Sequence, residues 1–208
     1  MGGGMSERGE KPFLVFGLPR SRTAWLSHFL ASSPGAVGHD TAIDCRTIGE
    51  FISQFYGLDR LAGTCETGAM MAWRVIKYRM PEAKLVVIQR PTTDVAFSLG
   101  RVGLYPGLLE LEQRKTYLEA ISRLDGVKTF SFRQLARQDV CEYIYEFCND
   151  EPCPEGRWAY FAQFNIQVEM QQRMKKLKAN AEAIAKLKAS VMKEVAMISA
   201  GEQCLRLS

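Results

Sequence analysis

The stretch FGLPRSRTAW, residues 16–25, joins a short apolar run at residues 12–15 to an amphipathic segment. The apolar run ends at the turn formers Gly17 and Pro19, as a buried parallel strand would. The apolar side chains that follow lie on one face of a helix: Trp25, Leu26, Phe29 and Leu30. A strand, a glycine-containing loop and a helix in this order gather backbone N–H groups and the positive end of a helix dipole at one point. Such a junction predicts an anion-binding loop.

The same alternation of apolar runs and helix-like segments continues along the chain. Further strands are predicted at residues 36–38, 61–65, 84–89 and 127–132, and helices at 43–55, 68–78, 93–101, 109–124 and 139–148. Alternating strands and helices predict an α/β fold, a three-layer P-loop-type parallel sheet with helices on both faces. We expect residues 11–165 to form this domain and residues 1–10 to be a flexible tail.

The C-terminal segment has a different pattern. Its apolar residues recur in steps of three and four, at Met174, Leu177, Ala181, Ile184, Leu187, Val191, Val195 and Ile198. This spacing predicts one long amphipathic helix over residues 166–200, with a lysine-rich opposite face and a tail at 201–208. The stripe would run roughly 36 Å at 1.5 Å per residue. Such a helix packs along its own domain or pairs with a second chain, and a role at a nucleic acid or a membrane surface is the remaining alternative. Because one face of a small domain covers less than that length, we predict that part of the stripe is buried in a homodimer.

Composition excludes several classes of protein. A net charge of +4 over 208 residues is too small to predict nucleic-acid binding. No apolar stretch approaches the roughly 18 residues that a membrane span requires. Six cysteines without a CxxC motif and only two histidines argue against a zinc site. Reduced cysteines are typical of a cytoplasmic protein, which we expect here.

The loop departs from the motif of nucleotide-hydrolysing proteins, G-x-x-x-x-G-K-[ST]. Counting from Gly17, that motif would place a second glycine at position 22, a lysine at 23 and a hydroxyl residue at 24. The chain instead has Arg22, Thr23 and Ala24. The guanidinium groups of Arg20 and Arg22 suit tetrahedral oxyanions, and Ser21 and Thr23 add hydroxyl donors. These residues predict an oxyanion site without the lysine and the Mg²⁺-binding hydroxyl of that motif.

A second basic element follows the predicted strand at residues 84–89. Arg90 comes at the end of that strand, and Ser98 lies about two helical turns further on. Both are expected at the sheet edge that carries the loop, where they would form a second phosphate site. The alternative is that Arg90 only pairs with Asp94.

Together the two elements resemble the sulfotransferase family. Its P-[RK]-S-[GS]-T loop is matched by PRSRT at residues 19–23, and its R-(x7)-S element by Arg90 and Ser98. The stretches LSHFLASSPGAVGHD, PEAKLVVIQRPTTDVAFS and VKTFSFRQLARQDVCEYIYEFCND are also similar to that family. The resemblance covers about residues 12–165. Arg22 is a departure, since relatives have a small residue at that position.

The resemblance implies a function. It implies that residues 17–24 (Gly17, Pro19, Arg20, Ser21, Arg22, Thr23 and Ala24) hold the 5′-phosphosulfate of 3′-phosphoadenosine 5′-phosphosulfate (PAPS). Arg90 and Ser98 would hold the 3′-phosphate, with Arg157 in a late basic loop as a further ligand. Arg20 would neutralise the charge that develops on the leaving oxygen. The reaction would move a sulfuryl group to a hydroxyl or amine of a small-molecule or glycan acceptor, release adenosine 3′,5′-bisphosphate and need no metal.

The acceptor must lose a proton, so a base is required. Members of the family use a histidine after the third strand or a glutamate after the second. Here Glu66 is near the first of these places, while His39 and Asp40 are near the second. A histidine titrates closest to neutral pH, which favours His39 over Glu66 and then Asp40.

Two other functions fit the same fold. One is a small-molecule or nucleotide kinase, which the missing lysine and hydroxyl at positions 23 and 24 disfavour. The other is a non-catalytic nucleotide-binding or assembly protein, in which the long helix would serve for assembly.

Overall fold

The structure is a computed structural model that describes residues 11–32, 36–57, 59–166, 175 and 178–207; the predicted tail 1–10 lies outside the described residues. Its strands are β1 (Phe13–Gly17), β2 (Ala36–His39), β3 (Leu61–Glu66), β4 (Lys84–Gln89) and β5 (Lys128–Ser131). Its helices include α1 (Thr23–Leu30), α2 (Ile48–Ser53), α3 (Trp73–Arg79), α4 (Thr92–Gly100), α5 (Leu108–Ser122), α6 (Gln138–Asn149), α7 (Arg157–Ala162) and α8 (Ala181–Leu207). Short 3-10 helices span Thr41–Asp44, Ala69–Ala72 and Phe132–Ala136.

The strands form one sheet in the order β2-β3-β1-β4-β5, and all neighbours are parallel. Side chains of the central strand β1 alternate between two buried cores. Phe13 and Val15 pack with α1, α6 and α7, whereas Leu14 and Phe16 pack with α2, α3, α4, α5 and α8. The predicted three-layer α/β architecture is therefore confirmed.

The neighbouring strands β1 and β4 lead to opposite edges of the sheet. From β1 the chain crosses one face through α1 to reach β2, and from β4 it crosses the other face through α4 and α5 to reach β5. The connections therefore diverge at the carboxyl ends of these two strands. This divergence leaves a crevice, which is the usual ligand position in open parallel sheets.

The C-terminal helix α8 packs on its own domain. Val191 is only 2% exposed, Ser190 Oγ lies 3.5 Å from the backbone N–H of Ile48, and Glu194 pairs with Arg79 at 3.4 Å. The predicted stripe is thus covered, from Leu187 to Ile198, by the chain's own core. It gives no support to a homodimer through this helix, which stays a prediction.

The bounds of the C-terminal helix differ from the prediction. Residues 167–174, 176 and 177 lie outside the described residues, so the first part of the predicted helix is not described. At the other end, the segment predicted as a tail is helical as far as Leu207. One glycine inside a helix costs only about 1 kcal/mol relative to alanine, and good helix formers follow Gly201. None of the described helices combines the length and the apolar character that crossing a bilayer requires.

Candidate functional site

The anion loop (residues 17–24) occupies the crevice between β1 and β4. Gly17 is the last residue of β1, Pro19 follows in the loop, and Ala24 is the second residue of α1. A Cβ atom on Gly17 would lie 3.3 Å from Thr23 Cγ2 and 3.4 Å from Ser21 Cβ. The loop therefore folds closely back over the end of its strand, which brings Ser21 and Thr23 to the mouth of the crevice.

Two arginines of the anion loop have left-handed backbone conformations. The φ angle is 66° at Arg20 and 61° at Arg22. Each such residue costs about 1–2 kcal/mol when it carries a Cβ atom. Strained backbone of this kind persists where the surrounding structure holds it, and it is frequent at binding sites.

The side chain of Arg22 anchors the loop from outside. Its Nη1 donates to the carbonyl of Leu135 at 3.0 Å, and its guanidinium lies 5.7 Å from the ring centre of Trp25 and 6.0 Å from that of Phe132. Arg22 thus holds the loop against the 3-10 helix after β5. The expectation that Arg22 clamps the anion is not supported by this placement.

The second basic element converges on Arg20. Arg20 Nε donates to Ser98 Oγ at 3.2 Å, and Arg90 Nη1 donates to the backbone carbonyl of Arg20. The guanidinium of Arg90 lies 4.1 Å from the ring centre of Phe132. Burial lowers the pKa of this guanidinium, while the nearby Asp94 opposes that shift. The structure therefore brings together Arg20, Arg90 and Ser98, as the sequence predicted.

Two polar atoms at this junction have unmade hydrogen bonds. Ser21 Oγ and Arg90 Nε are buried and have no hydrogen-bond partner among the described residues. The whole Ser21 side chain is 0% exposed. A buried donor without a partner costs about 1–3 kcal/mol. Both atoms are donors, so an oxyanion in the crevice would supply what they lack.

A cavity of about 200 Å³ opens beside the anion loop. Arg22 and Trp25 line one side of it, and residues 162–166, which follow α7, line the other. Phe164 is among the latter, so two aromatic side chains border the cavity. The cavity can therefore take a planar group attached to an anion held in the loop.

Glu66, one of the three predicted bases, is enclosed. It is 1% exposed, and its Oε1 accepts from the backbone N–H of Thr41 at 2.7 Å, from Thr41 Oγ1 at 2.9 Å and from Thr64 Oγ1 at 2.8 Å. Burial, and then the negative charge of Asp40, raise its pKa to about 8. A side chain so enclosed does not reach an acceptor in the crevice.

Asp40 and His39 lie between Glu66 and the anion loop. Asp40 is 5% exposed, and its Oδ1 accepts from Thr67 through the backbone N–H at 2.6 Å and through Oγ1 at 2.9 Å. The His39 side chain is 18% exposed, and its Nε2 lies 3.1 Å from Thr23 Oγ1. Of the three predicted bases, His39 is therefore the most accessible and the one in contact with the loop.

Arg157 requires a correction. It was predicted near the 3′-phosphate, but it lies at the carboxyl end of α1, the end opposite to the anion loop. Its Nε donates to the carbonyl of Phe29 at 2.6 Å, and its Nη2 donates to those of His28 at 3.2 Å and Ala31 at 2.5 Å. The last carbonyls of a helix have no intrahelical partner, so a basic side chain there caps the helix.

Sequence reasoning missed two groups of residues at the site. Phe132 and Leu135 contact the loop arginines, and Thr41, Thr64 and Thr67 hold the buried carboxylates. Phe132 directly follows β5, and Thr41 and Thr67 directly follow Asp40 and Glu66. Their places after predicted strands could therefore have predicted that they lie at the carboxyl edge of the sheet. Thr64 carried no signal beyond being a strand residue.

In the part of the chain that the structure describes, no group of three or more His, Cys, Asp or Glu side chains could hold a metal ion.

Comparison with protein-family models and with curated proteins gives no match for this chain. The function must therefore be inferred from the geometry of the site.

Proposed function

We propose that the protein is a PAPS-dependent sulfotransferase that acts on a hydroxyl or amine of a small-molecule or glycan acceptor. In this reaction the acceptor oxygen or nitrogen forms a bond to sulfur while the bond from sulfur to the 5′-phosphate oxygen breaks. The electron pair of that bond leaves with adenosine 3′,5′-bisphosphate, and the acceptor proton passes to a base.

The unmade hydrogen bonds of Ser21 Oγ and Arg90 Nε carry this proposal. Ser21 Oγ belongs to the anion loop, where the 5′-phosphosulfate would be its partner, and Arg90 Nε lies beside that loop, where the 3′-phosphate would be its partner. Charge-assisted hydrogen bonds of this kind strengthen as negative charge develops on a leaving oxygen. Thr23 and Ala24 stand where the motif of nucleotide-hydrolysing proteins has a lysine and a metal-binding hydroxyl, and Arg20 supplies the charge instead, which favours a nucleotide handled without Mg²⁺.

The rest of the nucleotide has suitable places near the loop. We assign the adenine ring to the cavity beside Arg22 and Phe164, because the exposed ring of Phe164 can stack on a planar base. Arg90 and Ser98, which both contact Arg20, are the donors that we assign to the 3′-phosphate. His39 is the base that we favour, because the other two predicted bases are buried.

Calorimetry with adenosine 3′,5′-bisphosphate, and separately with ATP and Mg²⁺, tests the proposal. We expect the bisphosphate to bind and ATP with Mg²⁺ to bind at least tenfold more weakly. Binding of ATP with Mg²⁺ alone would favour a kinase. Binding of neither nucleotide would remove the basis of the proposal.

A second titration tests the assignment of Arg90. The wild-type protein should prefer adenosine 3′,5′-bisphosphate over AMP, and Arg90→Ala should lose that preference. Arg101→Ala is the matched control, because it removes one exposed arginine at the end of α4, outside the contacts described for the loop. Equal affinity of the wild-type protein for both nucleotides would contradict the assignment.

One observation favours the non-catalytic alternative. Two of the three candidate bases, Glu66 and Asp40, are buried, and one oxygen of each accepts hydrogen bonds from threonines at the ends of β2 and β3. An assay for sulfuryl transfer from PAPS to a panel of alcohols, phenols, amines and sugars tests this alternative. If the protein binds the bisphosphate and transfers no sulfuryl group to any of them, it is a binding protein.

A further inference from the structure

A chain of polar contacts leads from the buried carboxylates to the anion loop. Asp40 Oδ2 lies 3.5 Å from His39 Nε2, and the same nitrogen lies 3.1 Å from Thr23 Oγ1. Thr23 is the first residue of α1 and is 4% exposed, with its methyl group against Gly17. Its hydroxyl therefore stands between the imidazole ring and the crevice that would hold the anion.

The two buried carboxyl groups, Glu66 and Asp40, have different surroundings. Three donors converge on Oε1 of Glu66, so a proton on Glu66 can only be on Oε2. The complete burial of Glu66 and the charge of Asp40 both favour that proton near neutral pH. Asp40 is meanwhile stabilised as a carboxylate by the two donors of Thr67.

A carboxylate next to one ring nitrogen favours a proton on that nitrogen. With a proton on Nε2, His39 donates toward Asp40 and Thr23, and the Thr23 oxygen acts as an acceptor. The hydroxyl hydrogen of Thr23 is then left to donate into the crevice. With a bare Nε2, Thr23 would instead donate its only hydrogen to the ring, and it would have none for an anion.

We propose that Asp40 and His39 are positioning residues for the anion loop, which keep a proton on His39 Nε2 so that Thr23 donates its hydroxyl hydrogen to the bound oxyanion. This inference rests on the proposed function in that the loop binds an oxyanion. In the neutral ring the lone pair is then on Nδ1, so a proton that His39 accepts is bound there. As Nδ1 gains that proton, Asp40 stabilises the imidazolium, and Thr23 becomes a stronger donor to the leaving oxygen.

The tautomer of His39 can be measured without any ligand. The chain has only two histidines, His28 and His39, so ¹⁵N NMR of the ring nitrogens gives two sets of signals. His28→Gln assigns them, because His28 is exposed on α1. At a pH where the ring is neutral, we expect Nε2 of His39 to carry the proton in the wild-type protein. A neutral His39 with a bare Nε2 would overturn the proposal.

Asp40→Asn reverses the polarity of the contact. The Oδ2 atom of Asp40 can only accept from Nε2, whereas the amide N–H that replaces it donates to Nε2. The amide oxygen can still accept from Thr67. Asparagine also tolerates the φ angle of 50° at this position. We expect the neutral ring of this variant to move its proton to Nδ1. An unchanged tautomer in a folded Asp40→Asn protein would contradict a directing role for Asp40.

A double-mutant cycle tests whether His39 acts through Thr23. Thr23→Val and His39→Leu should each weaken binding of adenosine 3′,5′-bisphosphate about tenfold, the effect of one hydrogen bond to a charged group. The double variant should be no weaker than either single one. His39→Gln should keep most of the affinity, because its side-chain amide can donate to Thr23 in the same place.

The outcomes separate the two proposals. A wild-type protein that binds no bisphosphate removes the proposed function, while the tautomer measurement still decides the orientation of Thr23. The other outcome is that the wild-type protein binds the bisphosphate and that the losses of affinity from Thr23→Val and His39→Leu multiply in the double variant. The proposed function would then stand, and the positioning role of His39 would be overturned.

Discussion

Two clusters of buried and half-buried polar side chains lie at the carboxyl edge of the same sheet. The basic cluster (Arg20, Ser21 and Arg90) lies between β1 and β4, and two of its donor atoms have no partner among the described residues. The acidic cluster (Asp40, Thr64 and Glu66) lies between β2 and β3. There a single oxygen of Glu66 accepts three hydrogen bonds, and one of Asp40 accepts two.

The two clusters differ in whether their hydrogen bonds are complete, and this difference suggests different roles for them. An unmade buried hydrogen bond costs about 1–3 kcal/mol, so a stable fold leaves it unmade where a ligand supplies the partner. A completed network holds its members in one arrangement. We therefore assign ligand contacts to the basic cluster, and to the acidic cluster the support of His39 and, through it, of the loop.

The largest effect is expected in the acidic cluster. The Glu66 carboxyl has a pKa of about 8 in the folded protein against 4.5 for its ordinary value, so the folded state binds its proton more tightly than the unfolded state. This contribution is fully present below the unfolded pKa and is lost as the pH rises through the folded pKa, with about 1.4 kcal/mol for each unit of pKa difference. Glu66→Gln should flatten the decline in the free energy of unfolding between about pH 4.5 and 8.

Urea unfolding of wild-type protein and Glu66→Gln across that pH range measures the difference. The glutamine can still accept the three hydrogen bonds at its Oε1, so it serves as an isosteric control for packing. If the free energies of unfolding of the two proteins changed with pH in parallel, the pKa of Glu66 would not differ between the folded and the unfolded protein.

In the basic cluster, Arg20→Ala should weaken binding of adenosine 3′,5′-bisphosphate about 10- to 150-fold, since a hydrogen bond to a charged group contributes about 1.5–3 kcal/mol. Arg20→Lys should be intermediate, because a lysine carries the charge without the planar fork. Calorimetry measures both. Wild-type affinity in Arg20→Ala would show that the loop is not the anion site.

Thr64→Val should cost about 1–3 kcal/mol of unfolding free energy. The Thr64 side chain is 0% exposed, and its hydroxyl donates to Glu66 Oε1 at 2.8 Å. The substitution conserves volume and removes only the donor, so the loss reports the completed hydrogen bond. A neutral result in denaturant unfolding would mean that the acidic cluster does not depend on this bond.

Ser21→Ala should raise the free energy of unfolding, whereas Thr64→Val lowers it. The Ser21 hydroxyl is buried and has no hydrogen-bond partner among the described residues, so its removal should stabilise the protein without ligand by about 1 kcal/mol. The same variant should bind the bisphosphate more weakly, as expected of a binding site that costs stability. A stability loss as large as that of Thr64→Val would show that the two clusters do not differ.

The smallest effect is expected for Arg157→Ala on binding. Its three hydrogen bonds to α1 carbonyls predict a loss of stability, but its place at the far end of α1 predicts a change in bisphosphate affinity of less than about twofold. Calorimetry on folded protein decides this. A tenfold loss of affinity would restore Arg157 to the nucleotide site.

Local pattern was sufficient for the five strands, for most of the helices between them, and for the strand-to-helix junction after β1. The strand predicted at residues 84–89 is β4 with the same bounds, and the junction after β1 holds the anion loop. Strand periodicity and turn residues are local properties, so sequence shows them directly. The convergence of Arg90 and Ser98 on Arg20 also followed, because parallel strands end at one edge.

The destinations of long polar side chains were decided by tertiary structure alone. Arg22 reaches the carbonyl of Leu135, which is 113 residues away, and Arg157 reaches the carbonyls that end α1. The sequence determined that the loop carries guanidinium groups at a strand-to-helix junction. It did not determine which of them face the crevice, because a flexible side chain binds whichever unsatisfied carbonyl or hydroxyl the packing of distant elements brings within its reach.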